Sequence, residues 1–164
     1  MGEADRRAIE RYWAAFNERD LSLLDDVIAA DYVNDAALPG TPPGPAGQAQ
    51  VMERLWTAFP DARFEIEVLA EDGDTVVCIG TMSGTHEGEL FGIPGSGKAI
   101  AWRQCHIMTV ADGRATSHRA IRVRDRLEVL QLSLGDELNA AAADRLRVLH
   151  GANLAVSGPR SRQW

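Results

Sequence analysis

The strongest chemical signal in the chain is the run Trp102-Arg103-Gln104-Cys105-His106-Ile107-Met108. In an extended strand side chains alternate between faces, so Trp102, Gln104, His106 and Met108 share one face. That face sets an imidazole and a carboxamide among large apolar groups. A few convergent polar groups in an apolar setting characterise a small-molecule pocket, and these two can hold a carbonyl or enolate oxygen. A lone strand histidine is more commonly structural. Gln104 and Trp102 beside it shift His106 toward a functional reading.

Asp125 stands between a strand-like run and a helical one, at an element end where working groups are commonly placed. Its ordinary use there is to cap a helix, as Asp20 can. Facing an apolar pocket, the same carboxylate would have its pKa raised by desolvation and suit a base toward a carbon acid. His118, flanked by polar Ser117 and Arg119, reads equally as a surface or a site residue. His86, in Gly84-Thr85-His86-Glu87-Gly88-Glu89, reads as part of a turn at a pocket rim.

Other chemistries are disfavoured. Gly92-Ile93-Pro94-Gly95-Ser96-Gly97-Lys98 matches the glycine and lysine positions of a phosphate-binding loop, yet Ala99 replaces the magnesium-binding hydroxyl and a strand-like run follows where a helix is needed. The segment suits a hairpin loop instead. No histidine pair has zinc-site spacing, and no nucleophile elbow or Cys/His arrangement appears, so neither a metal nor covalent catalysis is expected. Cys78 and Cys105 lie in apolar strand-like runs and read as buried free thiols.

The elements that must position these groups follow from hydrophobic spacing. Ala8, Ile9, Tyr12, Trp13, Ala15 and Phe16 predict an amphipathic helix over residues 4–18. Leu21, Leu24, Val27 and Ile28 predict a second, capped by Asp20 and ending where Asp31-Tyr32-Val33-Asn34 becomes extended. Residues 38–47 hold four prolines and three glycines and read as a loop, a candidate pocket lip. Val51, Met52, Leu55, Trp56 and Phe59 predict a third helix from Gln48 to Pro60. Strand-like runs follow at 63–70, 75–85, 99–110 and 115–124, with a turn at Asp112-Gly113. Helices followed by a strand meander make an α+β pattern with an antiparallel sheet covered on one face. After Asp125, Leu127, Leu130 and Leu134 mark a further helix, and residues 151–164 a tail that is mobile or packs on a partner through Trp164.

Composition narrows the class. A chain of 164 residues with 45% hydrophobic and 25% charged residues fits one globular domain, placed at residues 1–150. A net charge of -7 with scattered basic residues argues against a nucleic-acid partner. The N-terminus lacks an apolar signal region and no run approaches a membrane span, so the expected location is cytoplasmic, away from membranes.

Several phrases resemble the SnoaL-like polyketide cyclases of the nuclear-transport-factor-2-like superfamily: YWAAFNERDL, DYVN, FPDARFEIEVLAEDGDTVV, GTHEGELFGIPGSGK, WRQCHIMTVADGRATSH and RDRLEVLQLSLG, together spanning roughly residues 8–135. The resemblance implies an α+β cone, or α+β barrel, in which a curved antiparallel sheet and N-terminal helices enclose a central pocket, often dimeric through the open sheet face. It implies a cofactor-independent enzyme that closes rings in polyketide substrates by intramolecular aldol addition. On this basis Asp125 is the acid/base, His106 and Gln104 serve the substrate carbonyl, and Asn34, Trp102, His118 and Tyr32 line the site. The chain departs from the family in carrying Asp35 where a histidine is usual and in a longer passage from His118 to Gly135. Related scaffolds also support hydroxylation, epoxide opening or non-catalytic ligand binding, and fold alone does not choose among them. Polar groups lining an enclosed pocket would favour catalysis or binding; a pocket filled by Met and Leu side chains would favour a structural role.

Overall fold

The computed structural model describes residues 3–90 and 92–122. Asp125, the leucine-rich segment after it and the tail with Trp164 lie outside the described residues, as does the domain limit at 150.

Helix α1 spans Glu3–Glu18 and buries the face carrying Ile9, Tyr12, Trp13 and Phe16. Asp20 accepts hydrogen bonds from the Ser22 backbone N–H at 3.1 Å and its hydroxyl at 2.6 Å, capping the next segment. That segment is shorter than the spacing predicts. A 3-10 turn, Leu21–Leu23, leads into one α-turn, α2 (Leu24–Val27), and the chain is already extended from Ile28 in β1 (Ile28–Asn34). β-Branched residues at 27 and 28 fit the change from helix to strand.

Helix α3, Gly44–Ala58, begins four residues before the predicted start. Pro45 lies in its first turn, where a proline has no intrahelical N–H to lose and its fixed φ suits the helix. Gly47 is required by close approach: a Cβ there would overlap the Pro42 carbonyl. This contact folds the proline-rich segment tightly over the start of α3.

The four long strands are β2 (Arg63–Asp72), β3 (Thr75–Thr85), β4 (Ala99–Ala111) and β5 (Arg114–Arg122). They form an antiparallel meander, and Asp112-Gly113 turns the last pair with φ of 51° and 72°. The wholly antiparallel expectation is corrected at one edge, where β1 pairs in parallel with β5, giving the order β1-β5-β4-β3-β2. The five-stranded sheet is therefore mixed, and it is an open α+β cone rather than a closed barrel. Register shifts in β1–β5, β2–β3 and β4–β5 are the irregularities that bend a sheet around a core.

Even-numbered residues of β3 and β4 face the helices: Val76, Cys78 and Met82 on one, Trp102, Gln104, His106 and Met108 on the other. Cys78 lies opposite His106 and Cys105 opposite Ile79, so the two cysteines point to opposite faces although their strands are adjacent. Both are free. Burial pushes the Cys78 thiol up to about 12, against a smaller opposing effect of the Trp13 side chain, so it stays protonated.

The glycine-rich segment 92–98 leads straight into β4, consistent with a loop. His86 at its base is fully buried, with its ring centroid 5.3 Å from Phe59 and Nδ1 3.3 Å from the Ser96 hydroxyl. Desolvation lowers its pKa below 6.5. The folded state thus holds a neutral imidazole, while the unfolded chain takes up a proton near the usual value. Linkage gives stability that is complete above about pH 6.5 and falls as pH drops through that value toward the folded pKa. Urea unfolding from pH 8 to 5 is expected to show this decline, and His86→Gln to flatten it; an unchanged slope in the variant would assign it to other groups.

Candidate active site

The pocket between α1, α3 and the concave sheet face is lined by apolar groups, including Phe16, Met52, Leu55 and Met82, and by Asn34, Gln48, Trp102, Gln104, His106 and His118. The polar groups come from four elements. β4 supplies the sheet wall because its period of two keeps Trp102, Gln104 and His106 on the inner face. β5 supplies His118, which lies opposite Met108 in the ladder. β1 and α3 supply Asn34 and Gln48.

His106 and His118 make the central contact, with Nδ1 of His106 2.7 Å from Nε2 of His118. One ring must donate and the other accept, so the tautomer of one fixes that of the other. Two protonated rings would set N–H against N–H and lose the bond. The pair is thus built to hold at most one extra proton. Aromatic rings cage it: Trp13 and Phe64 lie 4.7 and 5.2 Å from the His106 centroid, and Tyr12 lies 6.2 Å from His118. A low-dielectric cage strengthens such a hydrogen bond.

Gln104 is only 4% exposed, and its carboxamide makes no hydrogen bond among the described residues. The Trp102 indole N–H is also buried without a partner among the described residues. Buried polar groups are normally satisfied, so these are groups a ligand could complete. Asn34 lines the pocket but its amide is engaged, accepting from the Ala36 N–H at 2.9 Å and donating to Gln48 Oε1 at 2.9 Å. Tyr32 is almost fully buried behind this wall and donates to the same Gln48 oxygen at 3.3 Å. Burial, then the neighbouring Tyr12, raises the Tyr32 pKa well above 10.0, so its hydroxyl keeps its proton. His86 lies under Phe59 and does not line this pocket. Asp125 lies outside the described residues. Among the described residues no three His, Cys, Asp or Glu side chains gather into a possible metal site.

Gln48, Tyr12 and Trp13 were not singled out as site residues by sequence. The signal for Gln48 is present: with Val51, Met52 and Leu55 it falls at i, i+3, i+4 and i+7 on one helix face. It is a polar residue on an apolar stripe.

The free space is only about 30 Å3. That admits about two waters, whereas a drug-sized ligand needs roughly 300 Å3 or more. By the lining criterion the outcome is mixed: polar groups converge on a pocket, and Met52, Met82 and Leu55 line it beside them. Ligand binding requires these walls to part, and methionine, unbranched and flexible, is suited to that.

The comparison with known proteins decides the class. A family model, SnoaL-like polyketide cyclase, matches residues 6–131. The chain belongs to this family. Among curated relatives, this SnoaL-like cyclase is similar to the nogalonic acid methyl ester cyclase of Streptomyces nogalater, 32% identical over 65% of this chain and 81% of that protein. It is also similar to the aklanonic acid methyl ester cyclase DnrD of Streptomyces peucetius, at 29% identity over 68% of this chain and 79% of that one. Among solved structures, TsrD from Streptomyces laurentii superimposes with a TM-score of 0.71 and 26% identity, covering 80% of this chain and 95% of TsrD. The SnoaL-like fold and an enzyme of the polyketide cyclase type follow. No helix among the described residues is long and apolar enough to cross a membrane.

Replacing His118 by Phe would leave His106 Nδ1 without this partner inside an aromatic cage. The expected cost is about 1–3 kcal/mol of stability, the usual penalty for a stranded buried polar group, together with reduced turnover. Urea unfolding and cyclisation assays check both; unchanged values would make the histidine bridge dispensable.

Proposed function

We propose that this cyclase closes a ring in an aromatic polyketide methyl ester by intramolecular aldol addition. The observation that carries this reading is the unengaged Gln104 carboxamide beside the His106–His118 pair, inside an apolar pocket. Together they offer hydrogen bonds to an oxygen that becomes negatively charged, in surroundings where such bonds count for more than in water. The names of the two curated relatives support the substrate class.

In this reading Asp125 is the base, as the family resemblance implies. It takes a proton from a carbon beside a carbonyl, and the C–H electron pair passes to that carbonyl oxygen as an enolate. Gln104 and His106 stabilise the oxygen, and the bridge to His118 spreads charge that accumulates on His106. The enolate carbon then attacks a second carbonyl of the same molecule, forming the ring C–C bond. The new alkoxide recovers the proton from protonated Asp125. Substrate and product are isomers, so the reaction consumes no oxidant, reductant or cofactor.

We also infer a cytoplasmic homodimer. The outer sheet face supports the dimer, because it carries Val68, 45% exposed, Ile121, 61% exposed, and half-buried Val77, Ile79 and Ile107.

Turnover of nogalonic acid methyl ester is expected to proceed without molecular oxygen. Asp125→Asn should lower it by about 10²-fold or more, the scale of general acid/base catalysis, with substrate binding retained. Oxygen dependence would instead favour a hydroxylase, and undiminished turnover in the variant would remove Asp125 from the mechanism.

A further inference from the structure

We propose that Gln48 is a substrate-binding residue locked as a hydrogen-bond donor, and that it takes a ring carbonyl oxygen of a polycyclic ketone or quinone from the α3 side of the pocket. The inference rests on the cyclase reading of this pocket and adds to it a second contact, on the wall facing the sheet.

The Ala36 N–H can only donate, so the side-chain atom of Asn34 that it meets at 2.9 Å is the oxygen. Asn34 therefore turns its NH2 toward Gln48, and that group too can only donate, at 2.9 Å. The Gln48 atom receiving it must be Oε1. Tyr32 donates its hydroxyl to the same oxygen at 3.3 Å. Two donors occupy Oε1, and the Gln48 NH2 is left facing the pocket it lines.

A free glutamine amide rotates by half a turn and presents oxygen or nitrogen as a ligand requires. Here that rotation would set NH2 against the Asn34 NH2 and lose that hydrogen bond; the Tyr32 hydroxyl can accept as well as donate, so Asn34 alone fixes the orientation. Gln48 makes no other hydrogen bond among the described residues, and it is 4% exposed. Its NH2 is an oriented donor at the pocket wall, open to an acceptor on the ligand. On the sheet wall the Gln104 carboxamide, which makes no hydrogen bond among the described residues, offers a second donor. Both walls therefore favour a flat ligand with carbonyl oxygens at its edges over a hydrocarbon of the same shape. Asn34 acts through Gln48 as a positioning residue.

The test compares two soluble probes of nearly one shape, anthraquinone-2-sulfonate and anthracene-2-sulfonate, which differ in two ring carbonyls. Calorimetric titration of the full chain is expected to give an affinity for the quinone about tenfold higher, the scale of one well-placed hydrogen bond. Gln48→Leu should reduce that preference several-fold. Gln48→Glu should abolish it, because its second oxygen offers an acceptor where the carbonyl needs a donor; being close to isosteric and still able to accept from Asn34 and Tyr32, it preserves the buried network if Leu does not. Asn34→Leu should lower the preference part-way by freeing the amide to turn. A wild-type preference that survives in the Gln48 variants would overturn the inference and leave the cyclase reading intact. Equal wild-type affinities would also overturn it. Binding of neither probe would refute the pocket reading on which it rests.

Discussion

Trp13 is the side chain on which the site depends. Its ring stacks on Phe64 with centroids 3.7 Å apart, meets His106 at 4.7 Å and crosses Tyr12 and Phe16 edge-on at 5.0 and 6.1 Å. One indole from α1 thus touches β2 and β4 together and closes the cage around the histidine pair. Large aromatic groups contribute most of the area buried in such cores, and edge-to-face pairs add about 0.5–1.5 kcal/mol each. Asn17, one turn further along α1, fixes the depth of docking: it donates to the Phe64 carbonyl at 2.9 Å and accepts the Phe64 N–H at 2.8 Å. Side-chain packing and a two-point backbone clamp therefore act on the same residue of β2.

The pocket has two polar walls held by different means. On the sheet side a strand period of two aims Gln104 and His106 inward, and the β4–β5 ladder brings His118 within hydrogen-bond distance. On the helix side α3 approaches the preceding chain closely enough that Gly47 has no room for a Cβ, and the next residue, Gln48, is held by Asn34. Rigid polar groups in apolar surroundings are pre-oriented for charge that develops during a reaction. The surroundings are also tight. In the proposed reading a substrate displaces Met52, Met82 or Leu55, and selectivity then includes the cost of opening the pocket as well as the contacts made within it.

Much of this was legible in the sequence wherever a period repeats. The inner face of β4 could be read residue by residue, as could the buried stripe of α1 and the Asp112-Gly113 turn. The parallel pairing of β1 with β5 could not, because a seven-residue strand carries no record of a partner more than eighty positions away. The start of α3 was misplaced because a cluster of prolines and glycines reads as loop, although proline is well suited to a first helical turn. His118 gave an ambiguous signal because Ser117 and Arg119 flank it, and the bulge between Thr109 and Val110 breaks the regular alternation opposite β5. Gln48 stands out in the sequence only as a polar residue on an apolar stripe; the direction of its NH2 is revealed by the partners of its oxygen. The family resemblance supplied the cone and the enzyme class, which periodicity alone does not reach.

The central claim is that the pocket behind Trp13 receives a substrate carbonyl at Gln104, next to the histidine pair. A crystal structure of Asp125→Asn with nogalonic acid methyl ester tests it most directly. The account predicts the polycyclic ester between α3 and β4, with Met52 or Met82 displaced, a carbonyl oxygen within hydrogen-bond distance of Gln104 and the His106–His118 bridge intact. An ester bound elsewhere, or bound in this pocket with Gln104 facing only carbon, would contradict it.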